Sequence, residues 1–309
     1  MPPRFDILSR AHLGAADLDD LRAFASRSIG ERFPLEATWH PGNIVWDLLY
    51  SSGAPQALRL WSGPGGLVAV AWFQDPGELW IECLARHEAL VPEMIGWAEA
   101  ACTEQPAPGG ALSVITFLTD SRRIEALEAL GYRPGEQRSV HFRCALSGDI
   151  PPTDLPPGFR IRDCVGINSE VRAACHRHAW NHLDHIGLPD ARSQFSAEVY
   201  EQLKGAAGYD PTLDLIVEAE DGTPAANCVC WWDPESGVGT FEPVGTHVEF
   251  RGQGLARAVV TEGLHRLKAR DAGWGRVGTA SFNHPAVGAY LSCGFELIDR
   301  TARWTRSIA

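Results

Sequence analysis

Residues 241–273 read FEPVGTHVEFRGQGLARAVVTEGLHRLKARDAG. A strand-like start passes through His247-Val-Glu-Phe and turns at Arg251-Gly-Gln-Gly-Leu-Ala256 into an amphipathic helix. Leu255, Val259, Val260, Leu264 and Leu267 recur at helical spacing on one side. Arg266, Lys268 and Arg270 gather near the end, where the helix dipole favours cations, and Gly273 is a stop signal. Gly252 and Gly254 let the backbone turn sharply and approach a ligand closely. The amides of the helix's first turn have no partner within the helix, and at the positive end of the dipole they form an anion site. Arg251 and Arg257 add cationic donors. The turn is neither a nucleotide P-loop nor a dinucleotide fingerprint: no Gly-Lys-Ser/Thr follows, and RGQGLA lacks the GxGxxG spacing. Glycine-rich turns from strand to helix are common, so this stretch alone leaves a purely structural turn equally open.

The elements around it fall into two similar halves. The second half reads as a strand at 159–163, helices near 168–182 and 193–205, and strands at 213–219, 225–232 and 238–246. A helix at 254–270, a strand at 275–281, a helix at 284–293 and closing strands to about 306 complete it. The first half reads as a strand at 4–8, helices near 15–28 and 42–50, and strands at 57–61, 66–73 and 78–84. A helix at 89–102, a strand at 111–118, a helix at 120–130 and a strand at 138–146 follow. Residues 148–158, GDIPPTDLPPG, hold four prolines, which exclude a helix or a central strand and predict a stiff linker. The expected organisation is one domain over 1–147, the linker, and a second over 159–309. Each has the α/β (α+β) pattern of a central mixed sheet flanked by helices.

The repeat is visible in two windows 163 positions apart. Asp120–Tyr132 reads DSRRIEALEALGY, and Asn283–Phe295 reads NHPAVGAYLSCGF. Both run from a polar helix start through a helix to Gly-aromatic, and both follow a strand and lead into a basic-aromatic one. Chance similarity between two strand–helix–strand units is the alternative, and the shared element order outside the windows favours duplication.

Arg251, Gly254 and Ala256 fit the pattern Arg/Gln-x-x-Gly-x-Gly/Ala. This resembles the acyl-CoA-binding signature of the GNAT family of N-acetyltransferases. About 30 residues on, Asn283-x-x-Ala286-x-x-x-Tyr290-x-x-x-Gly294-Phe295 resembles that family's second signature. The tandem layout is similar to its double-domain members. The resemblance implies acetyl-CoA as co-substrate, its pantetheine arm paired with the backbone of Val244, Gly245 and Thr246. It implies the pyrophosphate on the amides of Gly252, Gln253, Gly254, Leu255 and Ala256, and Asn283 beside the thiol end. Tyr290 would protonate the departing thiolate, against the alternative of a buried helix aromatic. A phenol of pKa about 10 suits such a leaving group. The nucleophile must be a neutral amine, and neutralising an alkyl amine at pH 7 costs roughly 4.6 kcal/mol. Glu242, four residues before Thr246 and so expected on its face, is the candidate base, against a solvated carboxylate; Glu249 and His247 rank behind it.

The first half departs from the pattern. Where the glycine turn should stand the chain reads Arg86-His-Glu-Ala-Leu-Val-Pro92, and Leu127 and Asp120 replace the tyrosine and the asparagine. A degenerate first domain without the cofactor is expected, packing and walling the acceptor site. His178, His182 and His185, with Asp184, are spaced for one helix face, which reads as a polar face, acceptor contacts or, last, a metal site; no metal is expected. Cys228-x-Cys230 reads as packing, and Cys293 lies near the expected thiol region without an assigned covalent role.

Composition excludes several classes. The 309 residues are 45 % hydrophobic and 21 % charged, as in soluble globular proteins, and the longest apolar run, Leu67–Phe73, is too short for a membrane span. Residues 1–10 lack a hydrophobic signal core, and the eight cysteines form no CxxC pair, so reduced thiols in the cytoplasm are expected. A net charge of −12 with no basic run excludes nucleic acid and anionic lipid as partners. It favours a small cationic amine acceptor. The reading is an acetyltransferase acting by direct attack in a ternary complex, as monomer or homodimer. The alternative is an acyl-CoA sensor without turnover.

Overall fold

The computed structural model describes residues 7–50 and 57–308. The chain is mixed α/β and divides into two compact units, each a mixed sheet flanked by helices. The first is Met1–Ile44, Gly53–Val140 and Asp299–Ala309; the second is Val45–Ser52 and His141–Ile298. The end of the chain counts with the first unit, and residues 45–50 and 141–147 with the second.

In the first unit β1 (Leu8–Ala11), β2 (Leu58–Gly63), β3 (Gly66–Asp75) and β4 (Glu78–Cys83) form an antiparallel meander. The expected start of the first strand, 4–6, lies outside the described residues. Helices α1 (Leu18–Arg32) and α2 (Pro41–Tyr50) precede β2, and α3 (Val91–Glu104) carries the chain over to β5 (Ala111–Phe117), parallel to β4. Helix α4 (Ser121–Ala129) leads to β6 (Arg133–Ala145).

The second unit repeats this order. Strands β7 (Phe159–Asp163), β8 (Asp214–Ala219), β9 (Pro224–Asp233) and β10 (Val238–Thr246) form the meander. Helices α5 (Ser169–Trp180) and α6 (Ala197–Lys204) lie between β7 and β8. Helix α7 (Leu255–Lys268) crosses to β11 (Trp274–Ala280), parallel to β10, and α8 (His284–Ser292) leads to β12 (Glu296–Ser307). The last strand of each half is divided between the two units. Residues of β12 from Asp299 on count with the first unit, where Thr301–Ser307 pair antiparallel with Phe117–Ala111. Residues 141–145 of β6 count with the second unit, beside β11.

Helix α7 is held in place by close packing. It buries Leu255, Ala258, Val259, Val260, Leu264 and Leu267, while His265, Arg266 and Lys268 end it at the negative pole of its dipole. At Gly263 a Cβ would lie 2.5 Å from the Cys230 sulfur and 2.6 Å from Phe241, so helix and sheet meet more closely than any side chain there permits. The proline-rich 148–158 segment lies along the same helix: Lys268 donates to the Gly148 carbonyl (2.6 Å), and the His265 ring bonds the Pro151 carbonyl (3.0 Å).

The substitution Gly263→Val should therefore lower the stability of the second unit by about 1–3 kcal/mol, since overpacking pushes α7 off the sheet. A lower urea midpoint is the expected result, and an unchanged midpoint contradicts this packing.

Candidate functional site

Strands β10 and β11 pair over three residues only, Val238–Thr240 against Trp274–Arg276, and then part. The cause lies in β10. Its register against β9 shifts between Phe241 (opposite Cys230) and Val244 (opposite Cys228), a bulge of one residue. Pro243 has no N–H to give to a ladder. The indole N–H of buried Trp231 donates to the Glu242 carbonyl (2.7 Å) and pins the bulge. Trp231 packs edge-on to Tyr209 (6.2 Å), whose hydroxyl donates to Asp214 (2.9 Å). The extra residue breaks the two-residue period, so the spacing from Glu242 to Thr246 no longer implies a shared face. Glu242 does not line the cleft described below, whereas Val244, Gly245 and Thr246 do.

Beyond β10, Gly252 (φ 76°) and Gly254 (φ 80°) adopt the left-handed conformation that other residues resist, and Gly254 is the N-cap of α7. No side chain caps this helix, so the N–H groups of Leu255, Ala256 and Arg257 point out of its first turn without an intrahelical partner. Arg251 departs from its expected use as an anion donor. Its guanidinium donates to the carbonyls of Ala179 (2.9 Å), His182 (2.6 Å) and Thr246 (3.4 Å) and lies 3.0 Å from the His185 ring. It ties the turn to the end of α5. Arg257 stands 3.8 Å from exposed Asp154. Gln253 is not part of the cleft lining.

Asn283 caps α8 by accepting from the Ala286 amide (3.3 Å), and its own amide donates to Thr279 (3.2 Å). Tyr290 lies on α8 between Phe142 (6.0 Å) and Phe295 (6.1 Å), 5 % exposed. Burial, with Cys228, Glu242 and Cys293 nearby, pushes its phenol well above the usual range, so it stays protonated. Cys293 donates to the Arg257 carbonyl (3.6 Å), and burial raises its pKa too, which leaves an inert thiol. The sulfurs of Cys228 and Cys230 are 3.8 Å apart in the core.

These elements enclose a cleft of about 810 Å³. One side is the parted strand, the turn and α8, contributing Val244, Gly245, Thr246, Arg251, Gly252, Gly254, Leu255, Ala256, Arg257, Asn283 and Tyr290. The other is the end of α5 and the turn after it. Gly245 is the joint between the two: a Cβ there would lie 2.1 Å from the Trp180 ring, so glycine is what lets Trp180 lie against the strand. Trp180 in turn stacks on buried His176 (4.0 Å, 4°). The expected three-histidine face does not form, because α5 ends at Trp180 and leaves His182 and His185 in the following turn. His178 stacks instead on His247 (4.4 Å). Among the described residues no three His, Cys, Asp or Glu side chains converge as metal ligands would.

The first unit has the same parting and a different filling. Strands β4 and β5 also pair over three residues, Glu78–Trp80 against Ser113–Ile115. Just beyond, Arg123 donates to the Ile81 carbonyl (2.9 Å) and bridges to Glu82 (3.1 Å) and Asp120 (3.4 Å). Arg32 adds bridges to Glu82 (3.3 Å), Glu88 (3.1 Å) and Asp120. Arg123 is 163 positions before Ala286, which lines the cleft in the second unit. The sequence signal for this plug was an arginine where the other copy has alanine. Asp120 caps α4 as Asn283 caps α8. Burial opposes its charge, but Arg123 and Arg32 prevail and hold its carboxyl below the usual range.

Residues 180–295 match the family described as Acetyltransferase (GNAT). Mycothiol acetyltransferase of Corynebacterium kroppenstedtii is 34 % identical over 121 residues, which is 34 % of this chain and 34 % of that protein. The matches to three curated relatives of that name span 21, 34 and 38 % of their lengths. Among solved structures, a tandem GNAT protein from the clavulanic acid biosynthesis pathway superposes with a TM-score of 0.64 at 12 % identity, covering 98 % of this chain and 99 % of that one. A GCN5-related N-acetyltransferase from Sphaerobacter thermophilus gives 0.62 at 18 %, covering 98 % and 96 %. At these identities the likeness is one of fold. No helix among the described residues is long and apolar enough to cross a membrane.

The site has a built-in pH dependence. Burial, then Arg172 and Arg177, hold the His176 imidazole neutral, well below its ordinary pKa. Below pH about 6.5 the unfolded chain binds a proton that the folded ring refuses. The stability present at pH 7.5 is therefore lost as pH falls toward 5. The gap between urea midpoints at pH 7.5 and 5.5 should narrow in His176→Phe, and an unchanged gap contradicts the assignment.

Proposed function

We propose that this chain, whose residues 180–295 match the GNAT acetyltransferase family, moves an acetyl group from acetyl-CoA to a primary amine in the cleft of its second unit. The observation that carries the reading is the uncapped N-terminus of α7, opening beyond two left-handed glycines into a cleft whose opposite wall is a parted strand. Those residues fit the co-substrate by their chemistry. Amides of Gly252–Arg257 suit a diphosphate, against a chain of net charge −12 that offers anions little elsewhere. The edge of Val244–Thr246 left without β11 offers peptide groups to the amide-bearing pantetheine arm. Asn283 lines the same cleft. Arg251 serves the site as a strut, and Arg257 is the cation that can swing to the phosphates from its weak, exposed pair with Asp154.

In the reaction the amine nitrogen bonds to the acyl carbon, the C–S bond breaks, the nitrogen loses one proton and the sulfur gains one. The chain's part is alignment and proton handling. Tyr290 is the donor to sulfur. Because burial holds its proton more tightly than a free phenol would, donation is coupled to C–S cleavage rather than preceding it. Glu242 acts as the base through water, since its side chain is not among those lining the cleft. The first unit keeps the fold without the cofactor: the guanidinium of Arg123 occupies the parting that acetyl-CoA uses in the second.

Release of free CoA thiol in the presence of a panel of amines tests the reading. Turnover with at least one amine, falling about 10²-fold or more in Tyr290→Phe with the affinity for acetyl-CoA retained, is the expected outcome. Binding of acetyl-CoA without release for every amine would make the protein a sensor.

A further inference from the structure

The wall of the cleft opposite the glycine turn has a chemistry of its own. Helix α5 ends in Trp180, and the chain then closes a tight turn: the Ile186 and Leu188 amides donate to the Leu183 carbonyl (3.0 and 3.1 Å), with Gly187 left-handed at φ 81°. Trp180, Leu183, Ile186 and Leu188 face the cleft from this turn, and Phe250 joins them from the chain before Arg251. Trp180 lies against Gly245, so this surface begins at the strand edge assigned above to the reacting arm.

The charges in the cleft are few and of one sign. No Asp or Glu is among the side chains lining the cleft, and its charged groups are Arg251 and Arg257. His185 is kept neutral by burial and by Arg251 beside it. A polyamine or an aminoglycoside brings several ammonium groups, each needing a carboxylate or water as partner. An indole or phenyl face can attract one ammonium, but the others would meet leucine and isoleucine beside a guanidinium, and desolvating them there is costly. An apolar body loses nothing by entering, and each buried methylene contributes about 0.8 kcal/mol. The acidic balance of the whole chain, which favours cationic acceptors at long range, is not repeated in the cleft.

We infer that the acceptor is a primary monoamine carried on an apolar or aromatic body, seated against Trp180, Leu183, Ile186, Leu188 and Phe250. This deepens the acetyl-transfer reading and rests on it. Leu188 is the residue best placed to set the selectivity, because it lines the cleft yet stands 41 % exposed, outside the core.

The experiment compares 2-phenylethylamine and hexylamine with spermidine and an aminoglycoside, by release of CoA thiol from acetyl-CoA. The apolar amines should show kcat/KM at least tenfold above the polycations. Leu188→Glu should raise KM for 2-phenylethylamine about tenfold, narrow the gap to spermidine and leave the Kd of acetyl-CoA within twofold. A merely structural role for Leu188 would move both constants together, and that result counts against the inference. Preference for spermidine or the aminoglycoside overturns the acceptor class and leaves acetyl transfer standing. Bound acetyl-CoA with no release for any of the four amines removes both.

Discussion

The parallel ladder between β10 and β11 stops after Thr240 and Arg276, and the use of the second unit depends on where it stops. A strand that leaves its neighbour keeps its peptide groups, and in a protein interior those groups need partners. Here the departure is enforced rather than incidental. Pro243 withholds a donor, one extra residue throws the register, and Trp231 reaches from β9 to hold the Glu242 carbonyl in place. The parted edge, the glycine turn that follows it and the first turn of α7 then come in immediate succession along the chain. Close packing of α7 at Gly263 fixes the direction in which that first turn points.

The first unit shows that parting alone does not make a site. Its β4 and β5 separate after the same number of pairs, yet the carbonyl just beyond the last pair is taken by Arg123. Buried Arg32 and Arg123 meet buried Glu82 and Asp120 and partly exposed Glu88 there, and each carboxylate is bridged by at least one arginine. Such a network takes up the carbonyl beyond the parting from within the chain, whereas in the second unit the same parting borders an open cleft. One duplicated frame thus supports a self-satisfied copy and an open one.

Much of this was legible in the sequence because the signals are local. The strand-to-helix turn at 241–273, the helix dipole charges on α7, the capping asparagine of α8 and the repeated window at 120 and 283 depend on residues a few positions apart. What was not legible depends on neighbours far along the chain. The bulge that sets Glu242 out of phase with Thr246 is held by Trp231, and Arg251 spends its donors on carbonyls of residues 179 and 182. The histidine face failed because α5 ends one turn sooner than its spacing suggested; Asn181 follows it and accepts from the Ser193 amide. Strands β6 and β12 were visible as strands, but no local pattern says that their outer residues belong to the other copy's unit. The need for glycine at 245 became apparent only with Trp180 lying on it.

The central claim is that main-chain N–H groups at the start of α7 grip the diphosphate of the co-substrate and that the first unit has no such grip. Amide hydrogen exchange of the full chain with and without acetyl-CoA measures those N–H groups directly. The account predicts slowed exchange concentrated at residues 252–257 and 244–246, with no change at 85–93 or 120–124. Protection at 85–93, or binding that leaves 252–257 exchanging as before, would contradict it.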